Sequence, residues 1–233
     1  MIGLVGSDPA IDDLAAAATD IEVRHDSAAA VIEVEPEIII AVGERAVIDL
    51  VTAGVETPML PVAAGSGLGS VDPQDAVAAM DRLESGAFQR RNHPVLGVRL
   101  GEEHAGNAVF DVMLVTDEPA RISEYSIAGD SQTERFRADG VVVSTPAGSH
   151  GYSNTAGGPI LSTRTDAVSV VPIAAFTTRT DTWVFDPPIR LGIERDEGAI
   201  SLLLDDHEQC TVPNDRPITI SVDDSFETVR FDG

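Results

Sequence analysis

The residues of this chain best suited to hold a polar ligand lie in one short stretch near its middle. Four glycines fall within eleven residues there, and small or polar side chains stand between them. The candidate ligand contacts are Gly148, Ser149, His150, Gly151, Tyr152, Ser153 and Thr155. Glycine lets a backbone approach a ligand closely, while hydroxyls and free backbone N–H groups hold phosphate oxygens. The stretch predicts a loop that binds a phosphate-bearing ligand; the alternative is a glycine-rich turn between two strands.

The elements around this stretch favour a ligand-binding loop. The apolar run from Val141 to Ser144 directly before it predicts a buried strand. Binding residues concentrate on loops that a rigid scaffold positions. Within the loop, Tyr152 is expected either to border a nucleotide ring or to pack against the loop itself.

With its preceding strand, the loop resembles the signature of the NAD kinase family. That signature is an acidic residue and a glycine, a short strand, and then TPTGSTAYSLSAGGP; this chain reads ADGVVVSTPAGSHGYSNTAGGP. The departures are Ala147 for Thr, His150-Gly151 for Thr-Ala, and Asn154-Thr155 for Leu-Ser. His150 puts a larger side chain at a position that is normally small. The resemblance implies that this loop holds NAD across the edge of a β-domain.

The resemblance also implies nucleotide contacts outside the loop. The family has an Asn-Glu pair at the start of a strand, and here Asn107 matches the asparagine while Ala108 replaces the acid. Arg121 stands where the family often has a basic side chain near the nucleotide. Arg137 and Asp139 occupy a basic-x-acidic step before the loop. A surface ion pair at a strand end is the alternative role for these last two residues.

A second acidic segment lies near the end of the chain. The apolar run Leu202 to Leu204 is followed by Asp205-Asp206-His207. This resembles the family's apolar strand followed by Asp-Gly-Gln, with His207 at the glutamine, which implies a nucleotide contact. Two acids and a histidine are also metal-ligand types. We favour a solvated hairpin turn here and predict no metal site.

The carboxylate for phosphoryl transfer is expected after the clearest strand of the first half. Transfer to a hydroxyl needs a phosphate cradle, usually Mg²⁺, and a carboxylate that orients or deprotonates the hydroxyl. NAD kinases place that carboxylate in a Gly-Gly-Asp-Gly turn. Here the run Ile38 to Val42 leads into Gly43-Glu44-Arg45, so Glu44 is the predicted catalytic residue and Gly43 and Arg45 are predicted to lie near phosphate. Alternatively, Glu44 and Arg45 are exposed first-turn residues of an ordinary helix.

The charge of the chain is extreme. There are 39 acidic residues against 15 basic ones, giving a net charge of −24, and every basic residue is arginine. A solvated acidic surface without lysine indicates adaptation to high salt, where ions screen the self-repulsion; an acidic interaction surface is the alternative. The charge argues against nucleic-acid and anionic-membrane partners.

Cysteine usage and hydropathy indicate the compartment. Cys210 is the only cysteine and lies in a strand-like run, so no intrachain disulfide forms, which is compatible with a reducing cytoplasm. The start of the chain lacks the basic segment of a signal peptide. No apolar run approaches the ~20 residues that span a bilayer. We expect a cytoplasmic protein.

The pattern of elements changes near residue 92. Before it, strand-like runs alternate with helical ones, and after it short strand-like runs recur with turns between them. We predict a Rossmann-like α/β domain over 1–92 and an all-β, sandwich-like NAD-binding domain over 93–233, whose last strands are free to pack back toward the first domain. The resemblance implies the same NAD kinase-like fold.

Individual elements follow from the same patterns. Four strands are predicted in the first half, at Ile2 to Val5, Ile21 to Arg24, Pro36 to Val42 and Met59 to Ala64. Helices are predicted from Ser7 or Asp8 onward, over 44–53 and from Asp72 to near Gly86. In the second half, Ala108 to Val115 is predicted as one strand, and 218–222 and 228–231 as two.

Three functions fit these observations. The first is a kinase that makes NADP from NAD with ATP or polyphosphate, with Mg²⁺ and Glu44. The second is a dinucleotide-binding sensor or regulatory subunit without activity, which the altered Gly-Gly-Asp-Gly turn favours. The third is a related kinase that acts on another hydroxyl acceptor. In each case the partner is a small-molecule nucleotide or acceptor, and the resemblance implies a homo-oligomer.

The acidic surface predicts a salt-dependent fold. Dilution from molar to millimolar salt removes the screening of the net charge of −24, so the folded chain repels itself more strongly. The melting temperature, followed by circular dichroism, is expected to fall as salt is diluted. A melting temperature that stays the same across this range contradicts a halophilic adaptation.

Overall fold

The computed structural model describes residues 1–7, 11, 14, 16, 22–118, 121–129, 132–177 and 181–231, with only the main chain of Glu84. The chain forms two compact units. The first comprises Met1–His93 and Ser225–Gly233, and the second comprises Pro94–Asp224. Two long strands, β5 (Gln89–Leu100) and β16 (Ile218–Arg230), each begin in one unit and end in the other.

The first unit is an α/β domain built on a parallel sheet. Its strands are β1 (Ile2–Gly6), β2 (Val23–His25), β3 (Ile38–Val42) and β4 (Met59–Val62), in the order β2-β1-β3-β4, with Thr228 of β16 beside Met59. Besides the helical residues Ile11, Leu14 and Ala16, the described part of this unit has the helices α1 (Ala28–Ile32), α2 (Glu44–Thr52) and α3 (Ala76–Glu84). Within the described chain, no helix is long and apolar enough to cross a bilayer.

Apolar patterning explains this unit. Ile39, Ile40 and Ala41 of β3 are all buried, as expected for a parallel strand covered on both faces. Helix α2 buries one stripe, Ala46, Val47 and Leu50, against the sheet. Of the helix predicted after Ser7, Ile11 and Leu14 are helical and buried, while Ala15 and Ala18 lie outside the described residues.

The second unit is a β-sandwich-like domain, as predicted. One sheet has the order β12-β11-β10-β7-β14-β15 and is antiparallel throughout. In the other layer, β16 pairs with β13, β13 with β8 and β8 with β9, while β5 pairs with β16 and β6. The strands between β5 and β16 are β6 (Glu103–Ala108), β7 (Asp111–Thr116), β8 (Ser123–Ala128), β9 (Thr133–Ala138), β10 (Gly140–Ser144), β11 (Val168–Ile173), β12 (Trp183–Phe185), β13 (Ile189–Arg195), β14 (Ile200–Leu204) and β15 (His207–Thr211).

The core of this unit lies between the inner faces of the two layers. Leu114 and Val141 from the six-stranded sheet belong to the same buried cluster as Tyr125, Ile127 and Leu191 from the other layer. Strand β8 alternates buried and partly exposed residues along its length. That alternation is the pattern of a sheet with one face in a core.

Two strand predictions were wrong. Ala108 to Val115 is not one strand: β6 ends at Ala108 and β7 begins at Asp111, because the main chain turns between them. The runs 218–222 and 228–231 are one strand, β16, which continues through exposed polar residues between them. Hydrophobic periodicity missed this because the exposed polar residues Asp223, Asp224 and Ser225 interrupt the apolar pattern.

A buried histidine lies in the first unit where the chain is about to leave it. His93 is 1% exposed, and its Nε2 lies 2.9 Å from Thr228 Oγ1. Its ring stacks on Phe226 with centroids 5.2 Å apart. Burial, together with the nearby Arg91 charge, lowers the pKa of His93 to about 4.

His93 predicts a loss of stability in mild acid. Between pH 6.5 and about 4 the unfolded chain takes up a proton at this residue while the folded protein does not. The free energy of unfolding therefore decreases as the pH is lowered through this range. From pH 7 to pH 5 the wild type is expected to lose about 2 kcal/mol more than His93→Gln. Urea unfolding at both pH values measures this, and equal losses in the two proteins contradict it.

Candidate functional site

Thr145 anchors the glycine loop, defined as residues 145–159, to the turn between β6 and β7. Its buried hydroxyl donates to Val109 O at 2.9 Å and accepts from Gly148 N at 3.0 Å. Its backbone N–H donates to Phe110 O at 2.9 Å. One threonine therefore fixes the start of the loop to Val109 and Phe110.

Two loop serines face the interior. Ser149 is fully buried, and its hydroxyl donates to Pro146 O at 2.7 Å and accepts from Leu161 N at 2.9 Å. Ser153 is also fully buried, with its Oγ 3.2 Å from Ser169 Oγ. These hydroxyls, proposed from the sequence as ligand contacts, hold the loop together in the structure.

Gly148 is needed for close packing. A Cβ on this residue would lie 1.9 Å from Phe110 O. Three backbone N–H groups of the loop also donate to carbonyls within the loop: Ser149 N to Thr145 O, Gly151 N to Gly148 O and Gly158 N to Ser153 O. The glycine-rich sequence predicts free N–H groups for phosphate, but at these residues the N–H groups close the loop's own turns.

The outer side of the loop carries its solvent-accessible residues. His150 is partly buried, and Gly151, Tyr152 and Thr155 are exposed. Tyr152 and Thr155 are the two ends of a short helix, α4 (Tyr152–Thr155), which follows the 3-10 turn Gly148–His150. We call His150, Gly151, Tyr152 and Thr155 the outer face of the loop.

The backbones of two predicted contact residues meet at Thr116. Its hydroxyl lies 2.9 Å from Arg121 O, and its N–H donates to Asp139 O at 3.0 Å. The Arg121 side chain pairs with Glu118, Nε to Oε2, at 3.1 Å. The Arg137 guanidinium lies over the Phe176 ring, 5.7 Å from its centroid. Both arginines are exposed.

The remaining predicted contacts of this unit are exposed strand residues. Asn107 lies in β6 opposite Gly97 of β5. His207 begins β15, and its Nδ1 lies 3.2 Å from Asp206 Oδ1. Leu204 pairs with His207, so Asp205 and Asp206 form the hairpin turn that we favoured over a metal site.

Asp205 is the residue whose role the sequence did not reveal. Its Oδ1 accepts from Phe110 N at 2.7 Å and Asp111 N at 3.1 Å, and its Oδ2 accepts from Val109 N at 3.0 Å. Burial raises the pKa of Asp205, and the three N–H donors oppose that rise. Because both oxygens accept N–H bonds, the ionised carboxylate fits this position. The sequence had suggested a solvated turn, but Asp205 is partly buried and its carboxylate is held by backbone N–H groups.

In the first unit, Glu44 and Arg45 begin α2 at the carboxyl end of β3 and point to different neighbours. Gly43, with φ 89°, precedes them and donates to Val62 O at 2.8 Å. Glu44 Oε1 lies 2.9 Å from where a Cβ on Gly65 would stand, so this carboxylate reaches the turn after β4. Arg45 Nε instead donates to Asp49 Oδ1 at 2.9 Å.

A cleft of about 470 Å³ lies at the carboxyl ends of β1, β2 and β3. Strand order reverses at β1, which lies between β2 and β3. In open α/β sheets ligands bind at such a switch point. Residues lining the cleft include Gly6, Ser7, His25, Ser27, Arg45 and Asp49.

An NAD kinase family model and NAD kinase sequences both match this chain. Residues 110–231 match the family described as the ATP-NAD kinase C-terminal domain. The chain is 31% identical over 175 residues to an NAD kinase of Methanosarcina barkeri, covering 71% of this chain and 63% of that protein. It is 30% identical over 165 residues to an NAD kinase of Methanoregula boonei, covering 70% and 60%. The matches thus span less than two thirds of these relatives' lengths.

Solved structures share the fold over almost the whole chain. An NAD kinase from Archaeoglobus fulgidus in complex with ATP matches with a TM-score of 0.76 and 20% identity, covering 99% of this chain and 92% of that one. A yeast NADH kinase complexed with NADH matches with a TM-score of 0.78 and 17% identity, covering 100% and 84%. At these identities the likeness establishes the architecture.

The contact at Gly148 predicts that a single methyl group is costly there. Gly148→Ala would push a Cβ into the Phe110 carbonyl, so the free energy of unfolding is expected to fall by about 1–3 kcal/mol. Gly198→Ala, in the same unit, is the control, because its Cβ would stand 3.7 Å from the nearest atom. Urea unfolding in molar salt compares the two, and equal stabilities would show that the loop does not pack on Phe110.

Proposed function

Because the chain belongs to the ATP-NAD kinase family, we propose that it binds NAD through the outer face of the glycine loop and phosphorylates the 2′-hydroxyl of the adenosine ribose. The division of the loop supports this proposal. The hydroxyls of Ser149 and Ser153 are buried and hydrogen-bonded, and they stabilise the loop. Tyr152 and Thr155 are exposed on the loop that these bonds hold in place. A rigid loop with exposed polar and aromatic side chains can bind a nucleotide without a large ordering cost.

Exposed arginine side chains are the groups of this unit that can attract an anionic ligand. The chain has 15 basic residues against 39 acidic ones, so its arginines are the scarce groups that attract a diphosphate. Arg121 and Arg137 are exposed, and the backbones of Arg121 and Asp139 are joined through Thr116. We assign Arg137 to the diphosphate of NAD, Arg121 to a position near the nucleotide, and Asp139 to an amide or hydroxyl donor of the nucleotide. Asn107 and His207 remain predicted contacts.

We assign the catalytic carboxylate to Glu44. It is exposed at the start of α2, and its side chain extends toward the turn at Gly65. In the proposed reaction the bond between the γ-phosphorus and the β-phosphate bridging oxygen of ATP breaks as a bond to the ribose 2′-oxygen forms. Glu44 orients the 2′-hydroxyl and takes its proton. ATP is bound as its Mg²⁺ complex, a co-substrate; polyphosphate is the alternative donor.

Removing the Glu44 charge is expected to lower NADP formation by at least about 10²-fold. The assay supplies NAD, ATP and Mg²⁺ in molar salt and measures NADP, with polyphosphate and NADH in parallel reactions. Glu44→Gln keeps the side-chain length and removes the base. Glu56→Gln, an exposed acid in the same unit, is the charge-matched control and is expected to keep wild-type turnover. Wild-type turnover in Glu44→Gln would rule out this role.

One observation favours a second function, NAD binding without turnover. Arg45 stands where the family has glycine, and its guanidinium is bonded to Asp49 along its own helix. Saturable NAD binding by the wild type without NADP formation from either donor supports a sensor or regulatory subunit. An absence of NAD binding supports a different hydroxyl acceptor. The cytoplasmic location, halophilic adaptation and homo-oligomeric state stay predictions from the sequence and its resemblance.

A further inference from the structure

We infer that Asp205 is a positioning residue for the glycine loop, although it lies at least 46 positions after the last residue of that loop. This inference rests on the proposed function for its ligand and on the structure for its mechanism. Asp205 carries one carboxylate that binds three consecutive N–H groups, those of Val109, Phe110 and Asp111. Its own N–H donates to Asp111 O at 2.9 Å.

Two of these four bonds fix Val109 and Phe110, and the other two join Asp205 to Asp111 at the start of β7. Residues 109 and 110 lie between β6 and β7, where the chain leaves one strand and enters the next. Their N–H groups point to one side and bind Asp205, while their carbonyls are free to bind elsewhere. A buried carboxylate satisfies several adjacent N–H donors at once, which a neutral side chain cannot do as strongly.

The carbonyls of the same segment hold the glycine loop. Val109 O accepts from the Thr145 hydroxyl, and Phe110 O accepts from Thr145 N. Phe110 O also lies so close to Gly148 that a Cβ at position 148 would overlap it, so only glycine fits there. The connection therefore runs from Asp205 through the Val109–Asp111 backbone to Thr145 and Gly148. Each step is a hydrogen bond or a direct contact within the second unit.

The backbone at Asp205 suits this role. Its φ is 53°, in the left-handed region that aspartate and asparagine tolerate better than most residues. Asp205→Asn therefore keeps the hairpin turn and the side-chain shape, and it replaces one acceptor oxygen by an NH₂ group. That NH₂ would face backbone N–H donors, so at least one of the three bonds is lost.

Asp205→Asn is expected to loosen the loop and weaken NAD binding by about tenfold or more. Amide hydrogen exchange measured by mass spectrometry should become faster over 109–111 and 145–158, while strand β11 keeps its protection. Asp215→Asn removes the same charge from an exposed turn of this unit and should match the wild type in both measurements. A folded Asp205→Asn protein with wild-type exchange in the loop overturns the inference.

If Asp205→Asn does not fold, Thr145→Val tests the other end of the connection. It removes the hydroxyl that joins the loop to Val109 while leaving the Asp205 bonds intact. Faster exchange over 146–151 with unchanged protection over 109–111 supports the inference, and unchanged exchange in the loop overturns it. A wild type that does not bind NAD defeats the proposed function alone, because the exchange measurements still decide whether Asp205 positions the loop.

Discussion

The turn between β6 and β7 is the constraint on which the candidate binding loop depends. Its N–H groups bind the Asp205 carboxylate and its carbonyls bind Thr145, so Val109 and Phe110 are held from both sides. Backbone groups that leave a sheet inside a protein must find partners elsewhere, and here one side chain supplies several of them. The same turn then becomes the surface on which the loop is built.

This arrangement separates structural and binding roles within a few residues. Ser149 and Ser153 turn inward and use their hydroxyls on loop and strand partners, while Tyr152 and Thr155 remain exposed. Hydroxyl-bearing residues that look alike in the sequence therefore have different roles, since some stabilise the loop and others face solvent. An inward hydroxyl that is hydrogen-bonded removes the cost of a buried unsatisfied polar group, whereas an exposed hydroxyl can be reached from solvent.

The first unit shows a comparable division between neighbouring residues. Glu44 and Arg45 are adjacent in the first turn of α2, yet Glu44 reaches toward Gly65 and Arg45 bonds Asp49. Successive residues on a helix point about 100° apart, so they meet different surroundings. The substitution of arginine for a family glycine thus leaves the Glu44 carboxylate directed at the turn after β4.

The sequence alone predicted the alternating strands and helices of the first unit and marked the position of the glycine loop. Alternating apolar runs predicted the parallel strands of the first unit, and the Gly-Ser-Thr stretch after Val141 to Ser144 marked the loop, because both signals are local. Tertiary structure decided which loop residues face outward and revealed Asp205. Its partners are 94 to 96 positions away along the chain. Local patterns carry no record of such a contact, since it exists only once the β14–β15 hairpin has packed beside the connection between β6 and β7.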